Sequence, residues 1–444
     1  MDISKLTDFE VKNRENILRI EEQMSNEEDR KTIEDFFRKQ WDNFDYKSET
    51  RPMIVFSTPS QTGTDWFRLR VPLFNLWKNH ADKYYIIYTD NLNFNMAKFA
   101  DIIIQHRAGN KHLVLNDIID SWPKGFKKPI IIHDVDDNEH NLPDSHPLKK
   151  MWLESGKDKM SMGQIVRADK ITTTGRILKR EFSKLTTSDK IDIHPNAFRW
   201  SNDQWKGVDT ENAKPEAAKG KITVGWSGLT SHFPDLIGML KPLIKAKESI
   251  DKDVHFIISG MPTVDKINIK DPKTGKVSQT DAPEKETYRY KIAHGFSNFP
   301  GYNKTLGEEN VTLQDVKSLE NYGEFYNQYD INLAYLAEKS TFNRSKSAIK
   351  IIEGFAKGAI NVWTNWGGYE DFLYNLPPDL KEVATKHMAA DNDEQFYKNI
   401  VYWINNNKDR EVWAKKFQEY VLKEFDIEQI TDLRAKYFDK LLNL

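Results

Sequence analysis

At 444 residues the chain is longer than one ordinary core organises, so two domains are expected. Hydrophobic residues at 39% and aromatics at 12% are ample for globular burial, and no apolar run approaches the ~20 residues a membrane-spanning helix needs. Zero cysteines exclude disulfides, thiolate metal sites and cysteine nucleophiles, while a formal charge of −2 excludes a chain dominated by nucleic-acid or membrane electrostatics, though not a local basic groove.

Along the chain, Met1 to Lys5 lacks the charged-then-apolar order of a secretory leader, which with the missing cysteines fits a cytoplasmic protein. Residues 1–50 are charge-rich, with Ile17, Leu18, Ile20, Ile33, Phe36 and Phe37 at helical intervals. They read as one or two amphipathic helices packed on the main body, with a partner-binding arm as the sharper alternative. A first α/β unit opens at Pro52 to Phe56, passes through the loop Ser57 to Thr64, and continues in a helix from Asp65 to Trp77. Further strands are expected at Tyr84 to Tyr88, Asp101 to Gln105, Pro129 to His133 and Lys170 to Thr173. Asp192 to Trp205 reads as the exit from this unit, and the Ala/Lys/Pro-rich stretch Glu211 to Lys219 as a hinge. A second unit begins at Ile222 to Gly228, continues at His255 to Gly260, carries a polar insertion over 264–307, and resumes at Asp330 to Leu336 and Ala359 to Thr364. From Glu394 to Leu444 the pattern is helical. The fold class is therefore α/β with two Rossmann-like domains, at 51–205 and 206–425, a helical extension at 1–50 and a closing helix at 426–444.

The most informative stretch is Phe342 to Glu353, between two strand-like runs. A helix that starts after a strand offers unpaired amides and the positive end of its dipole to an anion. Ser345 and Ser347 are placed to cap it, and Arg344, Lys346 and Lys350 add full charges. Lys346, Lys350 and Glu353 fall on one helical face. A diphosphate at the helix start with a ribose one turn on, near Glu353, uses all of these groups, which is the geometry of a nucleotide-sugar site. The bland alternative is a solvated, charged helix face.

The string Asn343, Lys346, Ser347, Lys350 and Glu353, followed by Gly358 and an apolar strand, resembles the donor site of family 4 glycosyltransferases. That resemblance implies the GT-B fold, with two Rossmann-like domains facing across a cleft, the first for the acceptor and the second for the donor. It implies a retaining transfer from a nucleoside-diphosphate sugar, with no further cofactor and the last helix crossing back to the first domain. It also implies that Glu353 holds the ribose hydroxyls and that Asn343, Ser345, Lys346 and Ser347 line the donor site. The family pattern has a glutamate where this chain has Ser345, so sugar-hydroxyl recognition at that position departs from the pattern. Gly225 to Asp235 resembles the element that opens the donor domain in the same family. By that match Gly228 faces the donor, while His232 and Asp235 shape the cleft. Gly63 in the first loop matches a glycine that lets the opposing domain approach the donor phosphates, with Arg68 adding a charge-assisted contact.

Two further constellations stand out. His133, Asp134, Asp136 and Asp137 end a strand, and three carboxylates there invite a divalent-metal reading. The resemblance favours cleft contacts to sugar hydroxyls instead, with Asp136 and Asp137 beside the chemistry and no metal needed. His133 reads equally as a hydrogen-bonded core residue. After the next strand, the amides of Gly367 and Gly368 are placed to reach donor oxygens. Catalysis by this design needs positive charge where the leaving diphosphate gains negative charge, a role for Arg344 and Lys350. The acceptor is read as a cell-envelope glycan or other carbohydrate. The alternative is a hydroxymethylated pyrimidine of phage DNA, met by Lys124, Lys127 and Lys128, with the protein then in the host cytoplasm. A sugar-nucleotide epimerase and a non-catalytic nucleotide-binding scaffold are the competing functions.

Overall fold

The computed structural model describes residues 1–24, 26–58, 63–107, 109–146, 148–207, 209–261, 266–270, 277–281, 292 and 306–444. Its first sheet is built from β1 (Met53–Ser57), β2 (Tyr85–Thr89), β3 (Ile102–His106), β4 (Ile130–Asp134), β5 (Lys170–Thr173) and β6 (Ile191–Ile193). All neighbours are parallel, in the order β2-β1-β3-β4-β5-β6. Strands such as Ile102-Ile103-Ile104 carry no polar face because helices cover both sides, and every residue of β1, β2 and β3 is buried.

The second sheet uses β7 (Ile222–Ser227), β8 (Val254–Ser259), β11 (Val311–Gln314), β12 (Ile331–Ala334), β13 (Ile360–Thr364) and β14 (Ala389–Ala390). It is also wholly parallel, in the order β11-β8-β7-β12-β13-β14. Of the expected insertion at 264–307, the antiparallel hairpin of β9 (Lys266–Lys270) and β10 (Val277–Asp281) is described, and most of the rest lies outside the described residues. Each sheet reverses its winding once, between β1 and β3 and between β7 and β12. Open parallel sheets bind ligands beyond the carboxyl ends of strands at such points.

The helix expected from Asp65 has a different form. A widened π-helical turn occupies Trp66–Arg70 before the regular helix Val71–His80 begins. Pro72 explains the change, since it has no N–H for the carbonyl of Arg68.

Helices Asp8–Gln23 and Glu27–Asp42 lie on the first lobe. Phe36 and Phe37 meet the Trp77 ring edge-on at 4.9 and 5.8 Å, and buried Arg51 pairs with Glu10 at 2.9 Å. At the other end, helix Ile427–Leu442 packs against helix Val71–His80 of the first lobe. Asn75 donates to Thr431 at 2.9 Å there, and Phe438 packs at an edge to both Phe56 and Tyr84. The crossing point is a short backbone bridge, where Phe198 N donates to Phe425 O at 3.1 Å and Ile427 N to Phe198 O at 2.9 Å. No helix among the described residues is long and apolar enough to cross a membrane.

Phe438→Ala removes a ring that is 2% exposed, so it is expected to destabilise the protein by about 3–5 kcal/mol, read as a drop in the thermal unfolding midpoint.

Candidate functional site

The two sheets turn their carboxyl ends toward each other across a cleft. A cavity of about 470 Å³ between them is lined from the first lobe by Phe67, Arg107, Asp137, Glu139 and Trp152, and from the second by Gly228, His232, Tyr322, Lys346 and Glu353. A deeper recess of about 130 Å³ joins Thr64, Asp136 and Asp137 to His232, Lys346, Ser347 and Lys350.

On the second lobe, the segment after β12 forms a short helix, Thr341–Arg344, then a turn, then helix Ile349–Ala356. The longer helix starts later than its sequence suggests. Ala348 is the residue before its first turn and no side chain caps it, so Ser345 and Ser347 are not caps. Ser345 Oγ donates to Thr341 O at 2.9 Å and accepts from Asn138 across the cleft at 3.3 Å. Ser347 Oγ accepts from Asn196 at 3.2 Å, also across the cleft. The start of helix 349–356 thus carries no side-chain cap, although Ile351 N already donates to Ala348 O at 3.0 Å. Lys346 reaches Asp137 of the first lobe at 3.5 Å. Lys350 lies over the Trp226 ring, 4.8 Å from its centroid. Burial first, with Lys346 adding to it, pushes the Lys350 ammonium down to about 8.

Glu353 is buried, and both its oxygens accept tyrosine hydroxyls, Oε1 from Tyr322 and Oε2 from Tyr326 at 2.6 Å. Burial raises its carboxyl to about 7, against the opposing pull of those hydroxyls and of Lys350. Two oxygens offer about four acceptor directions, so about two remain beyond those the tyrosines take. His232, beside Gly228, donates through Nδ1 to Asp235 at 3.1 Å, and Asp235 also accepts Ala337 N at 2.9 Å. Burial and the Lys350 charge push the His232 imidazole to about 4, so it is neutral at ordinary pH.

Several expected site residues do not reach the cleft as donor contacts. Arg68 is fully buried and grips Asp134 through both carboxylate oxygens, at 3.0 and 2.6 Å, while also donating to His194 O. Asp134 further accepts Thr172 Oγ1 at 2.6 Å and is held well below the usual carboxylate range; burial opposes this, but the Arg68 and His106 charges prevail. His133 is buried beneath the strand ends with Nδ1 on Gln105 O at 3.2 Å. Arg68, His133 and Asp134 are therefore a buried polar core under the cleft floor. Asn343 spends its amide on Glu338 O at 2.9 Å. Arg344 lies over Trp366 at 5.3 Å, away from Lys346 and Lys350.

The glycines also serve a different purpose. A Cβ on Gly368 would sit 1.5 Å from Lys346 O, and one on Gly367, at φ +61°, would sit 2.3 Å from Arg344 O. Whatever else they contact, the backbone of the 344–346 turn rests on them and leaves no room for a Cβ. Gly228 lies against the Trp226 ring and Lys350, where a Cβ would meet the ring at 2.5 Å. Gly63 opens a short helix, Gly63–Asp65, and the four residues before it, 59–62, lie outside the described residues.

Asp136 and Asp137 do face the cleft. Asp136 is 6% exposed, and among the described residues its Oδ1 has no hydrogen-bond partner, although His106 Nε2 and Arg107 Nε stand 3.9 and 3.8 Å away. The His106 imidazole is raised above its ordinary value: burial opposes this, but the carboxylates of Asp134, Asp136 and Asp65 prevail. Arg107 and Glu139, 3.5 Å apart, complete this wall and have no sequence signature. Arg107 adopts φ +59° just after β3, which only the folded backbone shows. Tyr322 and Tyr326, on the 3-10 segment Tyr322–Gln328, have no sequence signature either, and their hydroxyls converge only because both bond Glu353. Lys127 and Lys128 bond Asp101 and Asp120 O at the amino end of β4, opposite the cleft. Among the described residues, no three His, Asp or Glu side chains are grouped to hold a metal ion.

Two parallel, helix-flanked sheets opposed across a cleft and closed by a returning C-terminal helix make this a GT-B fold. The chain is similar in structure to the catalytic domain of starch synthase IV from Arabidopsis thaliana bound to ADP and acarbose, with TM-score 0.58 and 10% identity over 89% of this chain and 100% of that one. It is similar to sucrose-phosphate synthase from Thermosynechococcus elongatus, with TM-score 0.55 and 11% identity over 89% and 100% of the two chains. Anabaena HepE in complex with UDP and glucose gives TM-score 0.55 and 12% identity over 88% and 100%. No protein-family model matches the sequence, and no curated protein sequence is similar to it.

Arg68→Ala is expected to cost about 3–5 kcal/mol of stability by stranding the buried Asp134 carboxylate. In the folded fraction, nucleoside-diphosphate affinity should stay within about threefold, as followed by denaturant unfolding and titration calorimetry, because Arg68 does not touch the cleft.

Proposed function

We propose that this protein is a glycosyltransferase that moves a sugar from a nucleoside-diphosphate sugar to an acceptor hydroxyl. The observation that carries the reading is the uncapped start of helix 349–356, flanked by Lys346 and Lys350 and opening on an interlobe cleft. When the bond from the anomeric carbon to the diphosphate breaks, negative charge grows on the leaving oxygen. Fixed amides and two ammonium groups there stabilise it without reorganising. Glu353, one turn further on, is placed for the ribose, and its tyrosine partners fix its orientation.

Retention at the anomeric carbon, which the family resemblance implies, assigns the acceptor proton to the leaving phosphate. The protein's part on the facing lobe is then to orient the acceptor. Asp136 suits that task, since its buried Oδ1 lacks a hydrogen-bond donor and lines the recess opposite Lys350. A carbohydrate hydroxyl supplies such a donor, and Trp152 and Leu148 give the cavity an apolar wall for a sugar face. A carbohydrate acceptor is favoured over phage DNA, because Lys127 and Lys128 sit at the opposite end of the sheet. No divalent metal is assigned a step.

UDP and ADP are the first probes, and binding of either is expected to raise the thermal midpoint by mass action. The Lys350 charge is lost as pH rises through about 8, so diphosphate affinity should weaken across that range and binding should take up a proton. Titration calorimetry in buffers of different ionisation enthalpy reads both effects, and Lys350→Met should flatten the profile while weakening affinity about tenfold or more. If no nucleoside diphosphate shifts the midpoint, the reading is wrong. For the facing lobe, Asp136→Asn should raise the acceptor KM or cut turnover by about tenfold or more while leaving UDP or ADP affinity unchanged.

A further inference from the structure

The N-terminal helices pack on the first lobe, yet one of their side chains crosses to the second. Arg30, on helix Glu27–Asp42, donates from Nε to Glu320 Oε1 at 2.6 Å. Its Nη1 holds Glu34 at 3.2 Å, and Glu34 is in turn bound by Arg70 from the wall of the first lobe. One guanidinium is thus tied to both lobes at once.

The residue it reaches is closely placed to the donor site. The Glu320 side chain is 1% exposed, and among the described residues its Oε2 has no hydrogen-bond partner, so Arg30 is the charge that makes its burial tolerable. Glu320 lies two residues before Tyr322, which closes on Glu353. Gln204, from the connection between lobes, pins the same segment by donating to Leu319 O at 3.0 Å and accepting Gly323 N at 3.1 Å. Leu319, Tyr322 and Glu353 all line the main cavity.

We infer that Arg30 is a positioning residue for the donor site, with the N-terminal helical arm acting as a strap that fixes segment 319–326 and, through Tyr322 and Tyr326, the Glu353 carboxylate. The inference rests on the donor-site reading above. Without Arg30, the Glu320 carboxylate must move toward water to be solvated, and it draws the tyrosine-bearing segment with it. Glu353 then loses the two hydroxyls that orient it, and the cavity loses a wall. Lobe separation breaks the same contact, so the strap also links donor affinity to the closed arrangement of the lobes.

The test uses the full chain and UDP and ADP as probes. Arg30→Ala should weaken binding of the diphosphate that binds the wild type by about tenfold or more, while Glu320→Gln, which removes the charge that must be solvated, should bind within about threefold of the wild type and should restore most of the affinity when combined with Arg30→Ala. Arg30→Lys should restore most of the affinity. Once a donor sugar is in hand, its KM should rise in Arg30→Ala while kcat stays within about threefold. Phe438→Ala, which lowers stability far from the cleft, serves as the control and should bind as the wild type does. Wild-type affinity in Arg30→Ala, or a loss no greater than in the control, overturns the strap. Failure of the wild type to bind any nucleoside diphosphate overturns the donor-site reading itself, and the strap's role with it.

Discussion

Everything in the candidate site depends on a backbone-on-backbone contact. The loop after β13 brings Gly367 and Gly368 under the turn at 344–346 so closely that a Cβ at Gly368 would lie 1.5 Å from Lys346 O. A second glycine sets the helix that follows. A Cβ on Gly354 would meet Asn332 Nδ2 at 2.4 Å and Asn361 Oδ1 at 2.5 Å, so helix 349–356 beds directly on the polar pair that bridges β12 and β13. Asn332 also donates to Lys350 O at 2.9 Å. The turn is therefore held from beneath by packing and needs no side-chain cap. That is why no side chain caps the helix that follows, and why the Ser345 and Ser347 hydroxyls bond across the cleft instead.

The same burial that fixes the turn leaves its charges incomplete. Lys350 is drawn down to about 8 and Glu353 up to about 7, both principally by burial. An ammonium and a carboxylic acid in that condition are poised for partners that restore the charged form. Under the proposed function a diphosphate would do so for Lys350, and ribose hydroxyls for the carboxylate of Glu353. The tyrosines already on Glu353 limit the cost by occupying one direction on each oxygen.

Much of this architecture was legible in the sequence because it depends on local pattern. Apolar runs such as Ile130-Ile131-Ile132 announce strands buried on both faces, and Lys350 and Glu353 do share a helix, although Lys346, expected on the same face, lies in the turn before it. What could not be read is what long-range contacts decide. Arg68 in a loop-to-helix segment looks like a phosphate ligand, but a carboxylate 66 residues away claims it. Gly367 and Gly368 look like a ligand approach until the partner backbone is known. Arg107 and Glu139 belong to the site only because β3 and β4 are neighbours. Pro72 was visible, and the widened turn before it follows from its missing N–H, but where that turn points Arg68 and Arg70 depends on Asp134 and Glu34.

The lobes meet in two chemically different ways, and the difference bears on how the cleft works. On the hinge side the contact is aromatic: Tyr322 meets Phe67 and Trp205 at 6.0 and 5.8 Å, and Trp205 packs on Phe198. On the cleft side it is polar, through Lys346 with Asp137, Asn138 with Ser345, Asn196 with Ser347, and Asp371 with Arg176 at 2.7 Å. Apolar contacts resist opening in proportion to the area they hide, whereas each of these hydrogen bonds is worth only about 1 kcal/mol net because water replaces it readily. The hinge side therefore stays joined while the cleft side can part. A ligand that offers oxygens to Lys346 and the 346–349 turn exchanges with partners of similar strength, so entry carries little penalty. The net gain comes from groups whose present contacts are weak, above all Lys350, which lies over the Trp226 ring, and Asp136 Oδ1, whose charged neighbours stand beyond hydrogen-bond distance. Affinity in such a cleft is set by what the ligand completes, and the residues left incomplete here lie on both sides of the place where a sugar would sit.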